Sequence, residues 1–373
     1  MCKHVQKILN HQRDILAPKA VAEVEAAISG VKSSVAAKAD KAALQKTVEN
    51  LEKSANQWLK TYPNAAWREN VEVLLVALAV AMAIRTYFLQ PFKIPTGSMQ
   101  PTLFGVNSQN LIQEPDIQIP TGLERVKQWF QGISYVHVVA KNDGELQSVS
   151  QPMRFLIFNI KQTIWVGGVA HPMWFPPDYG GQTLEQRAGF YPRQTFRKGE
   201  DILKIRVAAG DHLFVDRMTY NFVPPSRGQI VVFETKGIEG LPQDQFYIKR
   251  LVALSGEKVQ VGDDRHLIID GKRLDASTPH FENVYSFDPK QPAHESRFSG
   301  HVNMKDGRNP QIFTDESVVY SVRDEHLMVM GDNTMNSLDS RYWGDFPAGN
   351  VIGRAFSVYW PITDRFGWAC IAH

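Results

Sequence analysis

Three short stretches hold the residues whose types and spacing could do chemistry. The first is Phe92–Leu103, FKIPTGSMQPTL, where Ser98 lies in a bend framed by Pro95, Gly97 and Pro101. Two prolines stiffen such a bend, and a glycine there can take backbone angles closed to other residues. A serine hydroxyl is a weak nucleophile until a neighbouring base takes its proton. The second stretch, Gln245–Leu254, QFYIKRLVAL, places Lys249 among Tyr247, Ile248, Leu251 and Val252. Burial in an apolar strand disfavours the ammonium form and lowers a lysine's pKa, which makes a usable general base. Most strand lysines alternate out to solvent, however, and Arg250 beside it points the opposite way. The third stretch, Gly331–Gly344, GDNTMNSLDSRYWG, packs Ser337, Asp339, Ser340 and Arg341 into five residues. By itself it reads as a turn, or as a calcium-like loop with Asp332, Asn333 and Asp339 as ligands, although Arg341 would repel a cation.

The common alternatives are missing. No GxSxG elbow, HExxH pair, P-loop or GxGxxG run occurs, and the 11 histidines never fall at ligand spacing with a carboxylate. The two cysteines, Cys2 and Cys370, stand at opposite ends, which excludes a disulfide scaffold and a CxxC metal site. No metal or cofactor is expected. A formal charge of +2 over 373 residues argues against a nucleic-acid partner. Residues 1–70 nevertheless carry 11 Lys+Arg against 7 Asp+Glu, a balance of +4, leaving −2 for the rest.

The elements that must position these residues change character along the chain. Over 20–59, apolar residues step by three and four through Val21, Val24, Ile28, Val31 and Val35, and again through Leu44, Val48, Leu51, Ala55 and Trp58. Lys38 and the gap from Val35 to Leu44 break the phase. The two readings are a helical hairpin and a coiled coil that self-associates through this N-terminal helix; the Ala- and Val-rich seam favours the hairpin. Residues 71–90 form the one credible membrane segment. Its uninterrupted apolar run, Val73–Ile84, is short for a span, but Arg85 can snorkel and aromatics flank both ends. Lys53, Lys60 and Arg68 precede the run and Lys93 follows it, which puts the N-terminus in the cytoplasm.

From residue 91 the pattern becomes short β-type runs: Ile202–Val207, His212–Arg217, Gln229–Glu234, Phe246–Leu254, Lys258–Val261, His266–Ile269 and His326–Met330. With no βαβ alternation, a mainly β unit is expected. The expected organisation is a helical extension at 1–65, an anchor at 66–90 and a β-rich domain at 91–373. An aromatic-rich insertion without clear period occupies about 104–200, where Phe155–Val169 reads as strand rather than as a second span.

Together with Gly210–Arg217, GDHLFVDR, and Tyr247–Glu257, YIKRLVALSGE, the first and third stretches make four motifs behind an apolar helix. In that order they resemble the type I signal peptidases, membrane-bound Ser/Lys proteases that remove signal peptides. The resemblance implies a β catalytic domain on the outer, periplasmic face of a bacterial inner membrane, behind a single-pass anchor. It implies Ser98 as nucleophile and Lys249 as general base, with the Ser98 N–H and the Thr96 hydroxyl as oxyanion hole. Ser337 would orient the lysine, and Asp339, Arg341, Arg250 and Asp332 would form a supporting network. Phe92, Ile94, Pro95, Met99, Leu103, Tyr247 and Ile248 would line shallow pockets for the small residues of an A-x-A-like site in exported preproteins. The family often has serine at Thr96 and arginine at Thr334. Residues 1–65 and most of 104–200 fall outside the resemblance.

Overall fold

The structure is a computed structural model that describes residues 1–60, 65–114, 116–156, 158–286, 299–306 and 311–368; Cys370 lies outside them. The chain opens with helices α1 (Cys2–Gln12), α2 (Pro18–Ala36), α3 (Lys41–Trp58) and α4 (Ala65–Tyr87). Strand β1 (Leu89–Lys93), β2 (Asn107–Asn110), helix α5 (Gly122–Phe130), β3 (Ile133–Val139), β4 (Gly144–Val149), β5 (Met153–Phe155), β6 (Phe158–Val166) and β7 (Val169–Trp174) follow. Next come α6 (Leu184–Ala188), β8 (Thr195–Phe196), β9 (Asp201–Ala208), β10 (His212–Asp216), β11 (Ile230–Glu234) and β12 (Phe246–Ala253). The last elements are β13 (Lys258–Val261), β14 (Leu267–Ile269), β15 (Lys272–Arg273), β16 (Tyr320–Ser321), β17 (His326–Met330), α7 (Ser340–Trp343), β18 (Phe346–Pro347) and β19 (Val351–Trp360). Two compact units result, Met1–Val80 and Ala81–His373.

In the first unit the broken heptad is a turn. Lys38 takes a φ of +50°, and the Asp40 carboxylate caps α3 by accepting the Ala43 N–H at 3.0 Å. Packing of α2 on α3 buries Val24, Ile28, Val31 and Leu51, and α1 adds Val5 and Leu9. The Gln12 amide ties α1 to the end of α3 through both polar groups of Lys60, at 2.8 and 3.0 Å. A helix over Trp67–Tyr87, with a mean hydropathy of 1.6 and none of it buried, is long and apolar enough to cross a membrane.

The second unit is mainly β. Its largest sheet has seven antiparallel strands in the order β1-β10-β19-β11-β12-β17-β18. Strand β11 shows why the sheet strands read as apolar runs. Ile230 and Val232 join one core cluster with Ile94, Met99, Leu103, Leu213 and Val215, while Val231 and Phe233 join another with Leu251, Val329 and Phe346. Both faces of the sheet are therefore covered, so consecutive positions must be apolar. The long central strand β19 is absent from the strands expected from sequence. Gly353 interrupts its alternation, and glycine is required there because a Cβ would lie 2.4 Å from the Asp216 carbonyl oxygen.

The 104–200 region forms two further sheets, β2-β9-β3 and β5-β6-β4-β8 with β7 on β6. Strand β9, which the expected boundary near 200 would leave out, pairs within the first of them. Ile164, Val166, Ile202, Ile205 and Val207 give these sheets their own buried core.

The chain leading to Ser98 is laid against Gly210, where a Cβ would fall 1.9 Å from the Ile94 carbonyl oxygen. Gly210→Ala should therefore destabilise the β unit by about 1–3 kcal/mol in thermal unfolding, as overpacking does. Gly349→Ala, with nothing within 4 Å of its Cβ, should leave the midpoint unchanged.

Candidate active site

Hydrogen bonds hold the bend that carries Ser98. The Ile94 N–H donates to the Asp211 carbonyl at 2.9 Å, and the Pro95 carbonyl accepts from Val106 N–H at 3.2 Å. Asn333 grips the bend from the facing loop, its N–H donating to the Ser98 carbonyl at 3.0 Å and its Nδ2 to the Gly97 carbonyl at 2.9 Å. Gly97 keeps a φ outside the left-handed region, contrary to the expectation that it supplies unusual angles, because these bonds and the prolines make the bend. Two glycines that the site cannot replace are Gly105, where a Cβ would lie 2.3 Å from the Thr96 carbonyl oxygen, and Gly331, where it would lie 2.5 Å from the Ser98 carbonyl oxygen and 2.2 Å from Ser337 Oγ.

Ser98 and Lys249, 151 positions apart in sequence, meet: Lys249 Nζ stands 2.7 Å from Ser98 Oγ and 3.1 Å from the Ile248 carbonyl oxygen. Lys249 is 4% exposed and Ser98 5%. Burial pushes the Lys249 pKa down to about 8, against the pull of Asp339 and Asp332 upward and with a smaller push down from Arg341. The neutral amine is thus accessible near physiological pH, and it sits within reach of the serine proton.

Arg250, pointing the other way on β12, is also buried, so neither adjacent position faces solvent. Its guanidinium makes a fork with Asp332 (Nε–Oδ1 2.8 Å, Nη2–Oδ2 2.6 Å) and donates to the Gly228 and His280 carbonyls at 2.7 and 2.6 Å. Asp332 accepts in turn from Thr102 Oγ1 at 2.5 Å. A second buried fork joins Arg341 to Asp339, both contacts at 2.9 Å, and Gly331 N–H adds a donor to Asp339 at 2.9 Å. Burial alone would raise the Asp339 pKa, but Arg341 and the Gly331 N–H outweigh it and hold the carboxyl below its usual range. Both carboxylates of the supposed calcium-like loop are thus engaged by guanidinium groups. Thr334, where the related motif often carries arginine, is buried and accepts from Arg341 Nη1 at 2.7 Å and from Val302 N–H at 2.8 Å.

The remaining expected residues distribute unevenly. Ser337 lies beside Gly331, but its Oγ makes no hydrogen bond to Lys249; its hydroxyl instead helps to hold the Asp339 carboxyl below its usual range. The lysine's second bond runs to the Ile248 carbonyl instead. Thr96 and Pro95 are exposed, Phe92, Tyr247 and Ile248 half-buried, and Ile94, Met99 and Leu103 buried in the core under the bend. Sequence reasoning missed Thr102 and Asp211. The buried Asp211 carboxylate accepts from Phe104 N–H at 2.7 Å and pairs with Arg365 at 3.0 Å. Its only signal was its place beside Gly210. Asn333, read as a cation ligand, instead fixes backbone.

A mainly β unit that brings a serine against a buried lysine has the elements of a hydrolase with an amine base. The chain belongs to the signal peptidase family, peptidase S26, whose family model matches residues 67–117 and 203–360. Among its relatives, "Signal peptidase I" of Leptolyngbya laminosa is 31% identical over 158 residues, covering 41% of this chain and 62% of that protein. "Probable signal peptidase I-1" of Synechocystis is 30% identical over 202 residues, covering 53% of this chain and 75% of that one. The chain thus spans about three fifths of the length of the first of these relatives, at 62%. A crystal structure of a signal peptidase I from Enterococcus faecalis aligns with 35% of this chain and 97% of that one at 23% identity, with a TM-score of 0.24, too low to bear on the fold.

Two outcomes follow from the buried charges. Lys249 should titrate near 8, read by NMR of isotope-labelled lysine, and Asp332→Asn should move that titration lower by removing a carboxylate that favours the ammonium. Asp332→Ala should also destabilise the β unit by about 3–5 kcal/mol, because it strands the Arg250 charge in the interior; equilibrium unfolding in urea measures it.

Proposed function

We propose that this chain is a membrane-anchored endopeptidase that removes signal peptides from exported preproteins with a Ser98 nucleophile and a Lys249 base. The observation that supports it best is the 2.7 Å contact between a buried serine hydroxyl and a buried amine. Neutral Lys249 takes the Ser98 proton as Oγ attacks the scissile carbonyl carbon. The oxyanion is held by the Ser98 N–H and the Thr96 hydroxyl. The ammonium of Lys249 then gives its proton to the leaving amine as the C–N bond breaks, leaving an acyl-enzyme. A water molecule, deprotonated by the same amine, hydrolyses the ester and restores Ser98.

The substrate reading rests on the sheet edges. Among the described residues strand β1 pairs only with β10, and β12 pairs with β17 only from Arg250 onward, so Phe246–Lys249 also keep one free edge there. Phe92 and Phe246 bring the two edges together, their rings edge-on with centroids 5.4 Å apart. An extended peptide entering there adds a strand to β1 around Phe92–Pro95. Half-buried Phe92, Tyr247 and Ile248 leave room for small side chains, which suits A-x-A-like sites. Within this reading α4, which ends at Tyr87 before β1 begins, supplies the anchor expected at 66–90, residues 1–65 lie in the cytoplasm, and 91–373 work across the membrane.

Purified protein in detergent should cleave a preprotein after a small-x-small site. Ser98→Ala, Lys249→Ala and the double variant should each lose nearly all activity and to a similar extent, because residues acting as one unit are not additive. Near-normal cleavage by Lys249→Ala would remove lysine from the mechanism.

A further inference from the structure

The insertion carries a large apolar surface that the proposed chemistry does not use. Helix α5 has no buried residue, although Leu123, Val126 and Phe130 fall at the spacing of one helical stripe; Leu123 is 88% exposed. Nearby, the β5–β6 hairpin ends in Phe155 and Phe158, which pair across the ladder. Between them Leu156 is 82% exposed at a φ of +53°. A bulky residue in the left-handed region is strained, and here the strain serves to hold a leucine out in solvent. Strand β7 ends beside this tip in Trp174 and Phe175, the latter 71% exposed.

These pieces are continuous. Phe158 at the tip of the hairpin and Trp129 of α5 line one cavity of about 530 Å³ together with Trp360. Exposed apolar area on this scale is uncommon on a soluble surface and marks something that covers it.

Charge says what covers it. From Leu146 to Pro177 the chain contains no Asp or Glu, while Arg154 and Lys161 flank the aromatic residues. Lys161 lies over the Trp174 ring at 5.5 Å. Helix α5 adds Arg125 and Lys127 against one acid, Glu124. Two copies of such a face would repel each other, and protein interfaces are depleted in lysine at their cores. Aromatic and aliphatic tips rimmed by Arg and Lys suit the headgroup region of an anionic bilayer.

We propose that α5 and the β5–β7 end of the insertion form a lipid-contacting surface that seats in the interface of an anionic bilayer, separate from the apolar helix α4. This does not depend on the peptidase reading, and its test does not read activity. The full chain, with Cys2→Ser and Cys370→Ser, would carry one fluorophore at Leu156→Cys, at Leu123→Cys, or at Lys272→Cys on the exposed β15 as the control. In phosphatidylglycerol-containing vesicles with brominated acyl chains, the 156 and 123 probes should lose roughly half their emission or more, as groups at acyl depth do, and the 272 probe should keep its own. Emission at 156 and 123 as unquenched as at 272 would overturn the proposal. So would shielding of these probes that arises in lipid-free detergent as protein concentration rises, since that assigns the face to a second copy.

Discussion

The proposed chemistry depends on keeping one amine uncharged in a place that also contains two buried carboxylates. Desolvation is what lowers the Lys249 pKa, while Asp339 and Asp332 pull the other way. An interior with those two carboxylates unpaired would favour the ammonium. Each carboxylate is instead given its own arginine in a planar two-point contact, so the pairs present little net charge to the lysine. A buried ion pair is weak evidence for stability. Its use here is electrostatic insulation, with the forks also fixing the loop that grips the Ser98 backbone.

Much of this was legible in the sequence because the relevant constraints are local. The strands at 202–207, 212–217, 229–234, 246–254, 258–261 and 326–330 could be read because β-branched and apolar runs ended at turn residues, and all six recur within a residue or two. Lys249 stood out as a charge inside such a run. Strand β19 escaped because its glycine is explained only by the Asp216 carbonyl, 137 positions earlier in the chain. Apart from β6, which lies within the run expected as strand at 155–169, the insertion escaped for a different reason. Its strands are short, and many of their aromatic residues face outward, so no alternation survives to be read.

Partners were harder to assign than elements. Ser337, Thr102 and Asn333 all bear groups able to bond, and the motif does not say to what. Asn333 bonds backbone, Thr102 bonds a carboxylate, and Ser337 acts on Asp339 rather than on Lys249. Likewise Ile94, Met99 and Leu103 could be assigned to a pocket or to a core by hydrophobicity alone. Which of the two holds depends on the curvature of the sheet, a long-range property.

The half-free strand β12 has a consequence for how the molecule avoids pairing with other chains. An open sheet edge is a template for any stray chain, and proteins usually blunt it with charge, bulges or a covering segment. Here two open edges are set facing each other across a narrow gap, with Phe92 and Phe246 in contact between them. A second folded sheet cannot enter so narrow a slot, whereas a single extended chain can. On the proposed reading of peptide addition to β1, the same arrangement that guards the protein against its own kind acts as a filter, admitting only polypeptide that arrives unfolded.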